Sequence, residues 1–192
     1  MKTKIIASLL VFCAVAQVTI LVGRYRAAGP PALAPYLVGD TLVRLDGLKV
    51  DGTEAVLAIP MLTGAATVVY AFSSECAYCE DVAPEWASHF GKQGGEGIRR
   101  VAITRDPPQT AASYAERFGW EVPILSIPDL AATDRRSFLL SRTPWLYVFD
   151  SDGALRFQGH GSSLDRMDEA ASRLGHPTTR SRKAPTSEIG GS

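Results

Sequence analysis

The sequence predicts an α/β domain: a central mixed β-sheet flanked by helices, opened by an N-terminal β-hairpin. Three observations predict it. Strand-like and helix-like segments alternate through the middle of the 192-residue chain, the pattern of a layered domain with parallel strands. Asp152-Gly153 separates two strand-like runs and turns one edge of that sheet antiparallel. Asp46-Gly47 and Asp51-Gly52 punctuate short apolar alternations between Val38 and Leu57, which predicts turns there and the opening hairpin.

The elements follow in order. Ala55–Met61 reads as a further short strand or docking segment, and Thr67–Phe72 is an apolar, β-branched run that reads as a buried strand. Ser73 and Ser74 end it and suit a helix entry, and the helix carries Cys76 and Cys79 at its start. Gly91–Gly97 is a glycine-rich surface loop, and Ile98–Thr104 is the next strand. Pro107 and Pro108 precede a helical segment, Thr110–Phe118. Val122–Ile127 is a short strand, Leu130–Leu140 an amphipathic helix, and Trp145–Phe149 a strong strand after Thr143-Pro144. Ala154–Gln158 returns as the partner strand, and Ser163–Leu174 closes the domain with Ser162 or Ser163 as cap.

Composition bounds the rest. Lys+Arg and Asp+Glu are equal at 20 each, so nothing in the global charge points to nucleic acid. Residues 1–22 read as a membrane anchor or signal: Lys2 and Lys4 precede an apolar run from Ile5 to Val22. About 18 helical residues at roughly 1.5 Å each span about 27 Å, close to the hydrocarbon core of a bilayer. An uncleaved anchor is favoured over a cleaved signal, because the small-residue triplet Ala32-Leu33-Ala34 lies far beyond the run and is followed by Pro35. Arg24 and Arg26 beyond the span make the positive-inside rule nearly neutral. Residues 23–35 form a Pro/Gly/Ala linker, 36–174 the globular domain, and 175–192 a polar tail with the composition of disorder.

Three cysteines are too few for a disulfide scaffold, and Cys13 lies in the apolar run, so Cys76 and Cys79 are the natural pair. Spacing of i, i+3 on a helix puts both sulfurs on one face, close enough to pair. The helix N-terminus offers unpaired N–H groups and partial positive charge, which favour a thiolate at Cys76. A strand, a tight turn, Cys-x-x-Cys and a helix make a redox device in that order.

Cys76-Ala77-Tyr78-Cys79 after a buried strand, Pro84 five residues beyond, Thr143-Pro144 opening a strand and the hairpin at Phe149–Gly153 together resemble one family. It is the membrane-anchored, redoxin-type group of thioredoxin-fold thiol–disulfide oxidoreductases of bacterial envelopes. The resemblance covers about residues 36–174. It implies a thioredoxin-like fold and a cis Pro144 facing the disulfide. It implies Cys76 as the attacking thiol, Cys79 as the resolving one, and Thr143, Pro144 and Tyr78 as the surface that meets a client. It calls for no cofactor and no metal. The implied partners are client protein disulfides or thiols and a thiol electron donor of unknown identity, with the soluble domain outside the cytoplasm.

Departures from the family concern proton handling. Thioredoxin's buried acid, six residues before the first cysteine, is replaced by Tyr70. The glutamate that related cytochrome-maturation reductases place six residues after that cysteine is replaced by Val82, and Glu75 stands where an aromatic is common. Glu80 or Glu85 could take the role, or be ordinary solvated carboxylates. Glu75, Glu80 and Asp81 place negative charge around Cys76, which opposes its thiolate and favours a reducing dithiol. Two other readings compete. A peroxiredoxin-like peroxidase would use Ser73 three residues before Cys76, but its motif also wants proline where Val69 stands. A copper-delivery module would recruit His89, His160 or His176, but its known relatives have three residues between their cysteines, where this chain has two.

Overall fold

The computed structural model describes residues 34–60, 66–91 and 97–175, together with residue 17. Apart from residue 17, the expected anchor lies outside the described residues, as do most of the linker, the tail beyond 175 and the interior of the glycine-rich loop. Among the described residues no helix is long and apolar enough to cross a membrane. The chain divides into Met1–Ala34 and Pro35–Ser192, and every element named below belongs to the second unit.

The strands are β1 (Arg44–Leu48), β2 (Glu54–Ala58), β3 (Ala66–Phe72), β4 (Ile98–Thr104), β5 (Ile124–Ser126), β6 (Trp145–Phe149) and β7 (Leu155–His160). The α-helices are α1 (Ala77–Phe90), α2 (Pro108–Phe118) and α3 (Leu164–Gly175), with a 3-10 helix at Arg135–Leu140. The seven strands form one sheet in the order β2-β1-β5-β4-β3-β6-β7. β3 pairs parallel with β4, and β4 with β5, each pair joined through a helix. β6 runs antiparallel to β3, and β7 to β6, so the edge after Asp152-Gly153 is antiparallel as expected.

β3 is central because its sequence is apolar on both faces. All seven of its residues are buried. Val68, Tyr70 and Phe72 pack with α1, α2 and α3 residues such as Trp86, Tyr114 and Met167. Val69 and Ala71 face the other layer, made by Tyr36, Leu42, Ile59, Leu139 and Leu140. Period-two alternation thus splits one strand between two cores.

Two expectations need correction. Asp51-Gly52 is the turn of the opening hairpin, closed by the Lys49 N–H donating to Thr53 O at 2.8 Å, but Asp46-Gly47 is no turn. It lies inside β1, with Asp46 opposite Val56 and Gly47 opposite Ala55. Gly47 is there for close approach: a Cβ would stand 2.5 Å from the backbone oxygen of Ser126, where β1 pairs antiparallel with β5. The second correction is Leu130–Leu140, where only Arg135–Leu140 is helical, and as 3-10 turns. Asp134 explains the late start. Its carboxylate accepts from the Arg136 N–H at 2.8 Å and from the Arg136 guanidinium, so the chain is capped at 134 rather than 130. Such local side-chain bonds compete with a longer helix.

Gly47→Ala should lower stability by about 1–3 kcal/mol, the range for forcing extra volume into a packed site. Gly91→Ala is the control, since a Cβ there would meet only backbone oxygens at 3.9 Å. Thermal unfolding followed by circular dichroism should show a lower Tm for the first variant and little change for the second.

Candidate active site

The site begins at the carboxyl end of β3. Ser73 and Ser74 leave the strand and are caught by Asp106, which follows β4. The Asp106 carboxylate accepts from the Ser74 N–H at 2.6 Å and from the Ser73 hydroxyl at 3.5 Å. Asp106 is itself fixed, its N–H donating to Thr104 Oγ1 at 3.0 Å and its carbonyl accepting from the Ser126 hydroxyl at 2.5 Å. Two neighbouring strands therefore set where the cysteine turn starts.

Cys76 is the N-cap residue of α1, with extended backbone (φ −94°, ψ 112°). Its carbonyl accepts the Cys79 N–H at 2.9 Å. Its side chain makes no capping hydrogen bond, but the sulfur sits at the N-terminal end of α1, where the helix dipole favours a thiolate. Both cysteines are free thiols, Cys76 half-buried and Cys79 1 % exposed. The Cys76 thiol donates to the Thr143 carbonyl at 3.3 Å, and the Thr143–Pro144 peptide is cis.

Environment divides the two thiols. At Cys76 burial pushes the pKa up, but hydrogen bonds from the Cys79 thiol and N–H, the Thr143 side chain and the Tyr78 backbone outweigh it, and the net shift is downward. At Cys79 burial dominates and pushes the thiol up to about 12. The Ser73 backbone works against that, while the Cys76 side chain adds to it. The expectation that acidic neighbours would raise Cys76 is corrected. Glu80 is engaged by Arg117 at 2.5 Å, and the net movement of Cys76 is down.

Thr143 and Pro144 are thus brought to Cys76, and Tyr78, 69 % exposed, projects from the first turn beside it. His89 and His160 are elsewhere, and His176 lies outside the described residues. His89 is buried between the Tyr70 hydroxyl at 2.9 Å and the Asp168 carboxylate at 2.8 Å, and His160 bonds the Ser162 hydroxyl at 2.9 Å. Among the described residues no group of three or more His, Cys, Asp or Glu is placed to hold a metal ion.

Sequence reasoning missed the supports. Gly161 is the closest packed of them: a Cβ there would stand 2.7 Å from Pro144 Cβ and 2.9 Å from Trp86 Cζ2. Its N–H donates to the Pro144 carbonyl at 3.0 Å, and its carbonyl accepts the buried Trp86 indole N–H at 2.8 Å. One glycine therefore holds the proline loop against the helix that carries the cysteines. Asp106 was missed as well: it is remote in sequence, and no local motif marks it. Gly161→Ala should displace Pro144 or Trp86. Stability should fall by about 1–3 kcal/mol, with a changed rate of Cys76 alkylation as the local readout.

Comparisons place this geometry. The AhpC/TSA family model matches residues 38–158, more than half of the chain. No curated protein matches it. Solved structures do. A peroxiredoxin-like protein from Aquifex aeolicus has a TM-score of 0.58 at 16 % identity, over 74 % of this chain and 90 % of its own. The peroxidoxin BcpB of Mycobacterium tuberculosis has a TM-score of 0.54 at 22 % identity, over 71 % and 95 %. A thioredoxin-family thiol:disulfide interchange protein from Chlorobium tepidum has a TM-score of 0.54 at 19 % identity, over 71 % and 98 %. At these identities the structures speak to fold alone, and they share it across both chemistries. With its cysteine turn at the end of a central strand in a seven-stranded mixed sheet, the chain belongs to the AhpC/TSA family of thioredoxin-like redox proteins.

Proposed function

We propose that this protein is a thiol–disulfide oxidoreductase that reduces disulfides of client proteins through Cys76 and Cys79. The unequal environment of the two thiols carries the reading. Cys76, half-exposed with its thiolate favoured, is the attacking group, and Cys79, buried and protonated, is the resolving one. The Cys76 thiolate attacks a client sulfur, forming a mixed disulfide as the other client sulfur leaves and takes up a proton. Cys79 then loses its proton and attacks Cys76, closing Cys76–Cys79 and releasing the second client thiol. A donor thiol, outside this chain, returns the pair to the reduced state. The backbone at Thr143, the amide-less Pro144 and the exposed Tyr78 are the surface on which an extended client segment docks.

We take the direction to be reduction: a strong oxidant needs its reduced form held firmly as the thiolate, and at Cys76 burial works against the hydrogen bonds that favour one. The apolar run 5–22 supports placing this activity at the outer face of a membrane, with residues 23–35 as the spacer.

The family match favours a second reading, a peroxidase. In it the Cys76 thiolate attacks a peroxide oxygen, releasing water or an alcohol and leaving a sulfenic acid. Cys79 then condenses with that acid to the disulfide and a second water.

Trapping tests the first reading. In membranes containing the full-length protein, Cys79→Ala should accumulate a thiol-sensitive adduct with client proteins, because release then waits for a thiol from solution. Cys76→Ala should accumulate none. Adducts only in Cys76→Ala would reverse the roles. No adduct in either variant, with thiol-dependent peroxide consumption by the wild type, would establish the peroxidase instead.

A further inference from the structure

Tyr114 is a buried tyrosine whose hydroxyl has no use in the fold. It is 4 % exposed on α2, stacked on Phe72 at 5.1 Å between ring centroids and edge-on to Trp120 at 5.2 Å. These contacts need only the ring, and phenylalanine would supply it. The hydroxyl is buried and has no hydrogen-bond partner among the described residues, a situation that costs stability. Tyr114 belongs to the same core cluster as Cys79, with Cys76 packed against that cluster.

The electrical surroundings of the hydroxyl are those of the dithiol. Burial, then negative charge on Cys79, Glu80 and Cys76, raises its pKa, with Arg117 opposing. The Arg117 guanidinium lies 5.4 Å from the Tyr114 ring centre and pairs with Glu80. Tyr114 therefore keeps its proton throughout the working range and is a donor in search of an acceptor. The reaction supplies one. The positions where relatives of the resembled group carry a carboxylate hold Tyr70 and Val82, and Tyr70 is spent on His89. The resolving thiol is deeply buried, yet it must become a thiolate to attack.

We infer that the Tyr114 hydroxyl serves the resolving step by donating a hydrogen bond to the Cys79 sulfur as that thiol ionises and attacks the mixed disulfide at Cys76. The inference rests on the dithiol reading above. The electron balance is that of thiol–disulfide exchange: the Cys79–Cys76 bond forms, the Cys76–client bond breaks, and the client sulfur leaves with the electron pair. The proton lost by Cys79 passes to solution and is matched by the one the departing client sulfur takes up. Tyr114 neither gains nor loses a proton overall.

The test is stopped-flow reaction of the reduced full-length protein with 5,5′-dithiobis(2-nitrobenzoic acid), in a Cys13→Ser background so that only two thiols report. The first release of nitrothiobenzoate marks attack by Cys76, and the second marks closure by Cys79. Tyr114→Phe should leave the first phase unchanged and slow the second by about tenfold or more, the scale of one hydrogen bond to a charged group. The second-phase pH profile should move to higher pH, with Cys76, Glu80 and Arg117 unaltered as the other groups facing the site. The Tm should be unchanged or higher, since an unpaired buried hydroxyl is removed. An unchanged second phase overturns the inference, and so does equal slowing of both phases. If the wild type itself shows no second phase, the dithiol reading fails, and that result is distinct from either of the others.

Discussion

The site depends on one close packing, the seat of Gly161 between Pro144 and Trp86. A single side-chain carbon at that position would intrude on both. The Gly161 carbonyl satisfies the buried Trp86 indole, and its N–H satisfies the Pro144 carbonyl. An unmade bond at either buried group costs about 1–3 kcal/mol, so helix and proline loop cannot separate cheaply. Because Cys76 and Trp86 both belong to the α1 region, the distance from Cys76 to Thr143 follows from this contact. The thiol–carbonyl bond at 3.3 Å is its local consequence.

Around that contact, α1 is held along its length by side chains of other elements. The Trp120 indole donates to the Ala83 carbonyl at 3.1 Å. Near the helix end, buried His89 links Tyr70 of β3 to Asp168 of α3. At its start, Asp106 fixes Ser74. The helix is thus held where chemistry needs it held, and its N-terminal end carries one sulfur while the core encloses the other. A reactive and a reluctant thiol three residues apart arise from this placement, with burial raising both and hydrogen bonding reversing the outcome only at Cys76.

Much of this was legible in the sequence because it is written locally. The apolar run of β3, the Cys-x-x-Cys at a helix start and Thr143-Pro144 before a strand each carry their meaning within a few residues. What was not legible is long-range. Trp86 and Gly161 are 75 residues apart, and neither forms part of a motif. Asp46-Gly47 shows the ambiguity in the opposite sense. Its turn-forming composition is equally that of a strand glycine pressed by a neighbouring strand, and only the approach of Ser126 distinguishes them. Leu130–Leu140 has the apolar spacing of a helix, but Asp134 captures the local N–H and guanidinium groups and shortens it. The acidic residues near Cys76 suggested a raised pKa because their charge could be counted and the pairing of Glu80 with Arg117 could not.

The central claim is that the fold divides two chemically identical thiols into an attacking and a resolving group. Its most direct measurement is the pH dependence of alkylation at each cysteine of the reduced protein, read by peptide mass after limiting iodoacetamide. The account predicts that Cys76 reacts with a midpoint below that of an unperturbed thiol, while Cys79 stays largely unlabelled until the pH approaches about 12. Labelling of Cys79 ahead of Cys76, or a common midpoint for both, would contradict it.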